Sequence, residues 1–583
     1  MNNIFKPATS DSTPGFSQTS ARKGLMAFDI VLLAFVGLGV GLRCLWVGKR
    51  ELWYDEVLSV LLSSGQKNAY RLPDNVPFAL SDLKPLLAIP PESGVAGTIE
   101  TVKNVVKGSL GDVHPPLFYL SEHGWMRLFG NGEAALRGLV LLTSLAALAM
   151  AYFLGRRVLG QRGGLIFTAL LAMNPFFLAH SLNLRMYMGM VFWVLVSGWG
   201  WLALLESRAT LRADRSATLS RSAAGLLRCL VVLSITAGLM TQYLFAYWLF
   251  ALAALALYLD RKRWFQHGLT LGAGVLLFAP WALWGVRQQA RNRGDVLSQI
   301  SVEGGPLQSA LRHGKDLAQT VGDHLLLGQL TAGMLPVVDD IKPTAVAVGC
   351  GVLGFLVVCV VGLYRRRQYR ILMIGGLMGL FPLAVALGID VVMGTYTLGF
   401  GWGRSTIAVL PGCVLLVAAW LDRGTGRWRE GLTVGLLAIY LAVNVGDFGL
   451  RDRQIFHQVA RSLPETDEPT LVAMNTQAWG HVLRSIYYLD GEAVDVLATK
   501  PAELPAALEN ALTAKAYSTV LWLNSDYPLW EAPKTDAEAA ALNAQTEAVL
   551  SSRLMAAGPA QNLEGTMKLD HFALQVYQAG DDA

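Results

Sequence analysis

Apolar stretches long enough to cross a membrane recur along most of the chain. One helix needs about 20 residues to span the roughly 30 Å of hydrocarbon in a bilayer. Of the 583 residues, 53% are hydrophobic and only 16% are charged, whereas charged residues make up about 25% of an ordinary soluble domain. The sequence therefore predicts an integral membrane protein built from α-helices. The plainest stretches are Ala134–Leu154, Gly163–Ala179, Thr344–Tyr364, Ile371–Ile389 and Ser405–Leu421.

A second group of less regular apolar stretches raises the expected number of transmembrane helices to about eleven. The longest of them, Leu226–Leu259, is too long for one span and is interpreted as a helical hairpin. The others are Phe28–Val47, Met186–Leu205, Gly268–Val286 and Leu432–Val445. Because the first of these is longer than the core of a signal peptide and no small-residue cleavage site follows it, we expect it to be a retained helix.

Lys and Arg are concentrated in alternate loops, and this sets the expected orientation. Short cytoplasmic loops carry an excess of these residues. The N-terminus is therefore expected in the cytoplasm, and the C-terminal region on the outer face with two long loops, 49–133 and 287–342. This pattern predicts a multi-pass plasma (inner) membrane protein. The basic groups are Arg22-Lys23, Arg156-Arg157-Arg162, Arg208 to Arg221, Arg261-Lys262-Arg263, Arg365-Arg366-Arg367 and Arg423 to Arg429.

The last part of the chain, from about residue 451, has a different character. Short apolar runs typical of strands, such as Thr519–Leu523, alternate with helical patterns such as Asp536–Ala556, which indicates a small α/β domain. We therefore expect a transmembrane domain over residues 1–450 and an extracytoplasmic domain, periplasmic or extracellular, over residues 451–583. The second domain has no evident catalytic motif, and a lid or docking module is the simpler interpretation.

The cysteines and the net charge argue against several kinds of site. All five cysteines lie in apolar segments, so neither a disulfide framework nor a zinc-ligand spacing is available on the outer side. The formal net charge of +5 comes largely from the basic residues of the expected cytoplasmic loops. It therefore reflects topology and anionic lipid head groups, and no nucleic acid partner is expected.

The first long loop carries the residues that point most directly to chemistry. The run Leu-Trp-Tyr-Asp-Glu at 52–56 places two adjacent carboxylates beside aromatic residues that favour the membrane surface. The run Asp-Val-His-Pro-Pro-Leu-Phe-Tyr at 112–119 follows later in the same loop. Each alone has a simpler explanation, a charged helix exit or a turn fixed by prolines. The two together are more specific than either one.

These runs resemble motifs of the GT-C superfamily of membrane glycosyltransferases. The nearest branch is similar to glycosyltransferase family 39, with the bacterial relatives of protein O-mannosyltransferases and of the lipid A aminoarabinose transferase. The resemblance is strong from residue 25 to 285 and loose afterwards. Aminoarabinose transferases have Lys before the two prolines, where this chain has His114, so the acceptor stays open. The other matching elements are Phe129-Gly130, Glu133 to Arg137, Gly155-Arg156-Arg157, Arg185-Met186-Tyr187, and Arg404 before Leu410-Pro411.

The resemblance implies transfer of a sugar, with inversion at the anomeric carbon, from a polyprenyl phosphate such as undecaprenyl phosphate. The implied acceptor is a lipid, a protein or a polysaccharide of the cell envelope, reached on the outer face. Such a reaction needs a base for the acceptor proton and positive charge for the departing phosphate. Asp55 is the candidate base. Glu56 would orient it or raise its pKa by like-charge repulsion.

Several further residues are candidates for the substrate site. An Arg fork suits phosphate oxygens, whereas the simpler explanation for an arginine at a helix end is snorkelling. No cofactor is expected, although adjacent carboxylates would also suit a hard divalent ion. The prenyl tail is expected in an apolar groove between helices. The candidate phosphate ligands are Arg185, Arg404, Arg43 and His114, and the candidate pocket residues are Asp112, Tyr187 and Tyr243.

The main alternative function is a secondary transporter or a lipid flippase. Transporters usually place ionisable residues near the bilayer midplane. Here the spans between Thr344 and Leu421 carry charge only in their loops, and the acidic pair lies at a membrane surface. A second alternative is a structural subunit that docks partners through the C-terminal domain. The paired motifs of the first loop would then have no purpose.

Overall fold

The computed structural model describes residues 26–209, 221–293, 306–330, 342–399, 401, 403–450, 454–464, 468–565 and 568–580. Arg22, Lys23 and most of the basic loop 208–221 lie outside the described residues. Helices account for most of the described chain as far as residue 450. In chain order they are α1 Ala27–Trp46, α2 Tyr54–Ser63, α3 Leu80–Leu83, α4 Gly94–Ser109, α5 Leu117–Phe129, α6 Glu133–Leu159, α7 Gln161–Met173, α8 Pro175–Ser181, α9 Tyr187–Ala209, α10 Arg221–Thr241, α11 Ala246–Asp260, α12 Trp264–Trp281, α13 Arg287–Asn292, α14 Pro306–Gly322, α15 Pro343–Arg365, α16 Tyr369–Met378, α17 Leu380–Met393, α18 Leu410–Arg423 and α19 Arg429–Leu450.

Nine segments of the described residues are long and apolar enough to cross a membrane. One of them, Tyr243–Asn292, is 50 residues long and folds back on itself. Trp281 and Gln289, in its second half, both hydrogen-bond the Tyr243 hydroxyl at its start. It therefore contains two spans, α11 and α12. Counting α11 and α12 separately, and the bent pair α7 and α8 as one more span, raises the nine segments of the described residues to eleven, the number that the sequence predicts. The chain is a multi-pass membrane protein.

The bend of 60° between α7 and α8 has a local cause. The Asn174 side chain accepts a hydrogen bond from the Phe177 N–H at 2.9 Å and so caps α8. Pro175, which follows it, lacks an N–H and suits the first turn of a helix. The redirected chain then runs past α2, where the Leu184 N–H donates to Glu56. The bend therefore brings the segment before α9 to the loop that follows α1.

Two helices lie at the centre of the bundle. In the most apolar stretch of α18 and the turn before it, 94% of the residues are buried. In the most apolar stretch of α9, 78% of the residues are buried. The corresponding value for α10 and for α15 is only 28%, which suits helices that face lipid. The ends of the two central helices carry Arg404 and Tyr187, both named as candidate site residues from the sequence.

The C-terminal region forms a small α/β domain around one sheet, so the predicted fold class is confirmed. The seven strands lie in the order β1-β3-β2-β4-β7-β5, with β6 paired to β7. β2 lies parallel between β3 and β4, and all its residues are buried, as expected for a strand covered on both faces. The elements are β1 Phe78–Ala79, α20 Ile455–Arg461, β2 Thr470–Met474, α21 Trp479–Tyr488, β3 Val494–Ala498, α22 Leu504–Ala514, β4 Thr519–Ser525, α23 Asp536–Ser551, β5 Met555–Ala556, β6 Gln561–Glu564 and β7 His571–Gln578.

The loop after α1 is built into this domain. Its strand β1 pairs antiparallel with β3, and the Leu52 N–H donates to the Tyr488 hydroxyl at 2.5 Å. Gly480 packs on the Tyr54 ring so closely that a Cβ atom there would lie 2.4 Å from it. The first loop and the C-terminal domain therefore share one side of the membrane.

The expected orientation can be tested with reporters that work on only one side of the membrane. We expect a reporter fused after Arg261, in the turn between α11 and α12, to face the cytoplasm. A reporter fused after Ala583 should face the outside, because five spans separate the two positions and short basic loops remain cytoplasmic. Equal signals from both fusions on the same side would contradict the count of spans.

Candidate active site

Glu56 fixes the start of the helix that carries Asp55. Its fully buried carboxylate accepts hydrogen bonds from the N–H groups of Trp53 at 2.9 Å and Leu184 at 2.7 Å. It also accepts from Nε and Nη2 of Arg137, at 2.8 Å and 2.7 Å. Burial raises the pKa of Glu56, but the charge and hydrogen bonds of Arg137 outweigh this effect, and the pKa lies below its ordinary value. Both oxygens are thus occupied in holding α2 in place.

Asp55, the neighbour of Glu56, is accessible. Its side chain is 20% exposed, and its Oδ2 atom lies 2.9 Å from Nη2 of Arg404. The Arg404 guanidinium also faces two aromatic rings, with its central carbon 5.1 Å from the Trp53 ring centre and 6.0 Å from that of Tyr187. The structure therefore brings together three residues that the sequence singles out at positions far apart in the chain.

Arg185 contacts the backbone carbonyl of Asp55. Its Nη1 donates to the Ser59 hydroxyl at 3.0 Å and to the Asp55 carbonyl at 3.3 Å. The side chain is buried, and its Nε makes no hydrogen bond within the described part of the chain. Burial alone would lower the pKa of Arg185, but Tyr119 and Asp55 raise it, so the group stays charged.

The second motif of the first loop forms a hydrogen-bonded turn beside Arg185. The Asp112 carboxylate accepts a hydrogen bond from the Tyr119 hydroxyl and lies 3.3 Å from Nδ1 of His114. Burial raises the pKa of Asp112, but the opposite effect of His114 and Arg185 is larger. The pKa of Asp112 therefore lies well below its ordinary range. Burial also lowers the pKa of His114. Gln289 holds the turn from outside, because its Nε2 donates to the His114 carbonyl at 2.8 Å.

Tyr243 and Arg43 lie outside this group. Tyr243 hydrogen-bonds Gln289 and so supports the His114 turn from behind. Arg43 lies among α1, α7 and α8, where its Nη1 donates to the carbonyl oxygens of Gly39 and Ala172, each at 2.7 Å. The structure thus does not bring Arg43 to the other candidate phosphate ligands.

The loop before Arg404 is held by groups that sequence reasoning did not identify. Gly403 precedes Arg404 with φ of +76°, a conformation that favours glycine, and its carbonyl accepts a hydrogen bond from His324 Nε2 at 2.8 Å. The Asp390 carboxylate accepts from the N–H groups of Thr397 at 3.0 Å and Leu398 at 2.9 Å. These contacts between distant segments fix the position from which Arg404 reaches Asp55.

Arg137 and Tyr119 are the other site residues that were not named as candidates. Arg137 is 1% exposed and donates to Glu56 and to the carbonyl oxygens of Val47, Arg50 and Glu51. The sequence does contain a signal for Arg137, because this residue lies in an apolar segment, where a charge is usually paired or functional. Tyr119 closes the same motif that supplies Asp112 and His114.

An apolar cavity of about 310 Å³ opens between α5, α6, α9 and α10. Leu117, Leu139, Phe192 and Trp193 are among its walls, and Arg185 is the charged residue among those described around it. The apolar walls of this cavity suit a hydrocarbon chain such as an isoprenoid, and the Arg185 guanidinium suits an anionic head group. Within the described residues, no three His, Cys, Asp or Glu side chains are grouped so as to hold a metal ion.

No family model and no curated protein matches the chain. Among solved structures, ArnT from Cupriavidus metallidurans in the apo state is 13% identical, covers 94% of this chain and 98% of that chain, and has a TM-score of 0.43. ArnT from the same organism bound to undecaprenyl phosphate is 13% identical over 94% of this chain and 98% of that chain, with a TM-score of 0.41. The apo oligosaccharyltransferase from Archaeoglobus fulgidus is 12% identical over 84% of this chain and 69% of that chain, with a TM-score of 0.45. Because these TM-scores are all below 0.5, the chemistry proposed below rests on residues of this chain.

Proposed function

We propose that the protein is an inverting glycosyltransferase that moves a sugar from a polyprenyl phosphate to an acceptor on the outer face of the membrane. The observation that carries this proposal is an accessible carboxylate, Asp55, beside two arginines, Arg185 and Arg404, the first of which also lines an apolar cavity. A carboxylate can take a proton, guanidinium groups can hold a phosphate, and the cavity can hold a prenyl chain.

The proposed reaction is a single displacement. The acceptor hydroxyl oxygen attacks the anomeric carbon from the face opposite the phosphate, and its proton passes to the Asp55 carboxylate. The bond between the anomeric carbon and the phosphate oxygen breaks, and its electron pair stays on the phosphate. Arg185 and Arg404 stabilise the charge that develops there. Because phosphate is a stable anion, no general acid is needed, in contrast to glycoside hydrolysis.

Arg404 can bind the Asp55 carboxylate and the donor phosphate at the same time. A guanidinium has five N–H donors in a fixed fork, and one of its nitrogens already contacts Asp55 at 2.9 Å. His114 supports the pocket in another way. Its Nδ1 atom lies 3.3 Å from the Asp112 carboxylate, and burial lowers the pKa of His114, which disfavours the charged form of the ring.

Transfer from a labelled donor tests the proposal. The protein, reconstituted in nanodiscs, is mixed with a polyprenyl phosphate that carries a radiolabelled sugar and with a cell envelope extract as the source of acceptors. We expect the label to leave the prenyl lipid and the same sugar on a nucleotide to be left unused. Equal use of the sugar nucleotide would contradict the proposal. In proteoliposomes, movement of the lipid across the bilayer without loss of sugar would favour a flippase instead.

Arg185 is expected to contribute to donor affinity. Replacing it with Ala removes a charge-assisted contact and should cost about 1.5–3 kcal/mol, which corresponds to roughly 10- to 150-fold weaker binding of polyprenyl phosphate. Lys should restore binding only partly, because it lacks the fork. A binding titration with the lipid phosphate measures both variants.

Arg291→Ala provides the matched control for Arg185, because Arg291 is exposed in α13, close to Gln289 and therefore on the same side of the membrane. It should bind the lipid phosphate as the unchanged protein does. Unaltered donor affinity and turnover in Arg185→Ala would remove this residue from the phosphate site.

A further inference from the structure

The C-terminal domain contains a cavity of about 540 Å³ that is separate from the residues around Asp55. It lies at the carboxyl ends of β2 and β4, next to Asn475 and Ser525. The chain order reverses there, because β3 lies on one side of β2 and β4 on the other. Open α/β sheets bind ligands in the crevice at such a reversal. The volume also lies in the range of about 300–1,000 Å³ that small-molecule sites occupy.

The floor of the cavity is rigid and polar. The buried Asn475 amide nitrogen donates to Oδ1 of Asn524 at 2.6 Å and to the Ser525 carbonyl at 3.0 Å. Its oxygen accepts from the Ser525 N–H at 2.7 Å. Asn475 therefore ties the ends of the two central strands together and fixes the direction of the Asn524 side chain.

The loop from 526 to 535, which forms one wall, is anchored along its length. The Thr476 hydroxyl donates to the Pro528 carbonyl at 2.9 Å, and Lys500 pairs with Glu531 at 2.5 Å. Leu529 and Glu531 have φ values of 68° and 52°, which residues other than glycine rarely adopt. A loop held in this conformation gives the cavity a defined shape before any ligand binds.

Several polar groups that line the cavity have no hydrogen bond within the described part of the chain. These are the amide nitrogen of Asn524, the side-chain amide of Asn543, the Asp526 carboxylate and the His571 ring. Asn543 lies on α23, across the cavity from the strand ends. Hydrogen-bond donors and acceptors thus converge on one space from the strands, the loop and the helix.

We propose that this cavity binds a neutral saccharide. Amides and carboxylates suit neighbouring hydroxyl groups, each of which donates and accepts, and Tyr527 adds an aromatic side chain. The lining holds two carboxylates, Asp526 and Asp536, and one amine, Lys534, so there is no excess of positive charge to attract a phosphate. This composition contrasts with the arginine-rich site near Asp55, and the proposal does not depend on the reaction assigned there.

Ligand-observed NMR on the full-length protein tests this proposal. Nanodiscs replace maltoside detergents, which would compete for a saccharide site. The probes are methyl α-mannoside and methyl α-glucoside, with glucuronate and inorganic phosphate as anions of similar or smaller size. We expect saturable binding of at least one neutral glycoside and weaker or no binding of the anions at this cavity. No binding of either glycoside, or a preference for the anions, would overturn the proposal.

Variants locate the binding. Asn543→Trp fills the cavity from α23, and Asp526→Asn changes an exposed acceptor without threatening the fold. We expect the first to abolish glycoside binding and the second to weaken it up to about tenfold, the effect of one hydrogen bond. Gln545→Trp, exposed on the same helix outside the cavity, is the matched control and should bind normally. Undiminished binding in both Asn543→Trp and Asp526→Asn would place the saccharide elsewhere.

Discussion

Replacing Asp55 with asparagine is expected to slow sugar transfer roughly 10²–10⁴-fold, the usual contribution of a general base. Asparagine keeps the shape and can still hydrogen-bond Arg404, but its amide cannot take up the acceptor proton. Donor binding should persist or become tighter, because the substitution removes a negative charge that competes with the phosphate for Arg404. Turnover of the labelled donor and a separate titration with polyprenyl phosphate measure the two effects.

Asp82→Asn is the matched control, since Asp82 is exposed in the same long loop. It should transfer sugar at the normal rate, and thermal melting of both variants should match the unchanged protein. Near-normal turnover in a well-folded Asp55→Asn protein would exclude Asp55 as the base. If donor binding and turnover were both lost, the result would instead indicate that Asp55 holds Arg185 and Arg404 in position.

Breaking the ion pair between Glu56 and Arg137 is expected to produce the largest loss of stability. Their side chains are 0% and 2% exposed, and removing one partner of a buried pair leaves an uncompensated charge at a cost of about 3–5 kcal/mol. Glu56→Gln should therefore lower the free energy of unfolding by about this amount. Unfolding in mixed micelles, followed by tryptophan fluorescence, measures the change.

The double variant Glu56→Gln, Arg137→Met distinguishes the interaction between the two side chains from the contribution of each side chain alone. Because it removes both charges, it should be less destabilised than Glu56→Gln alone, and the difference reports the coupling of the two side chains. Asp55→Asn, one residue away, should unfold like the unchanged protein. If Glu56→Gln kept full stability and lost turnover, Glu56 would belong to the chemistry rather than to the support of α2.

The sequence identified the segments that build the site but not how two neighbours divide their roles. Asp55 and Glu56 lie side by side in a helix, where successive side chains point about 100° apart. One of them therefore turns inward to Arg137, while the other stays 20% exposed beside Arg404. A pair of adjacent carboxylates in the sequence does not reveal which is which.

Long-range contacts were also beyond the reach of sequence patterns. The eleven spans were readable because the hydropathy of a span is local. Arg43, by contrast, is satisfied partly by the carbonyl oxygen of Ala172, and a backbone carbonyl has no signature in the sequence. The same holds for β1, a two-residue strand that shows no periodicity and pairs with β3 near the other end of the chain.

During synthesis, the loop that carries Asp55 leaves the ribosome long before its partners do. Phe78 pairs with Val496, about 400 residues later, which at 5–20 residues per second is a delay of roughly 20–80 s. The hydrogen bond from Leu52 likewise forms only after Tyr488 has been synthesised. A chain released after α19 would therefore lack the contacts that the C-terminal domain makes with the loop carrying Asp55.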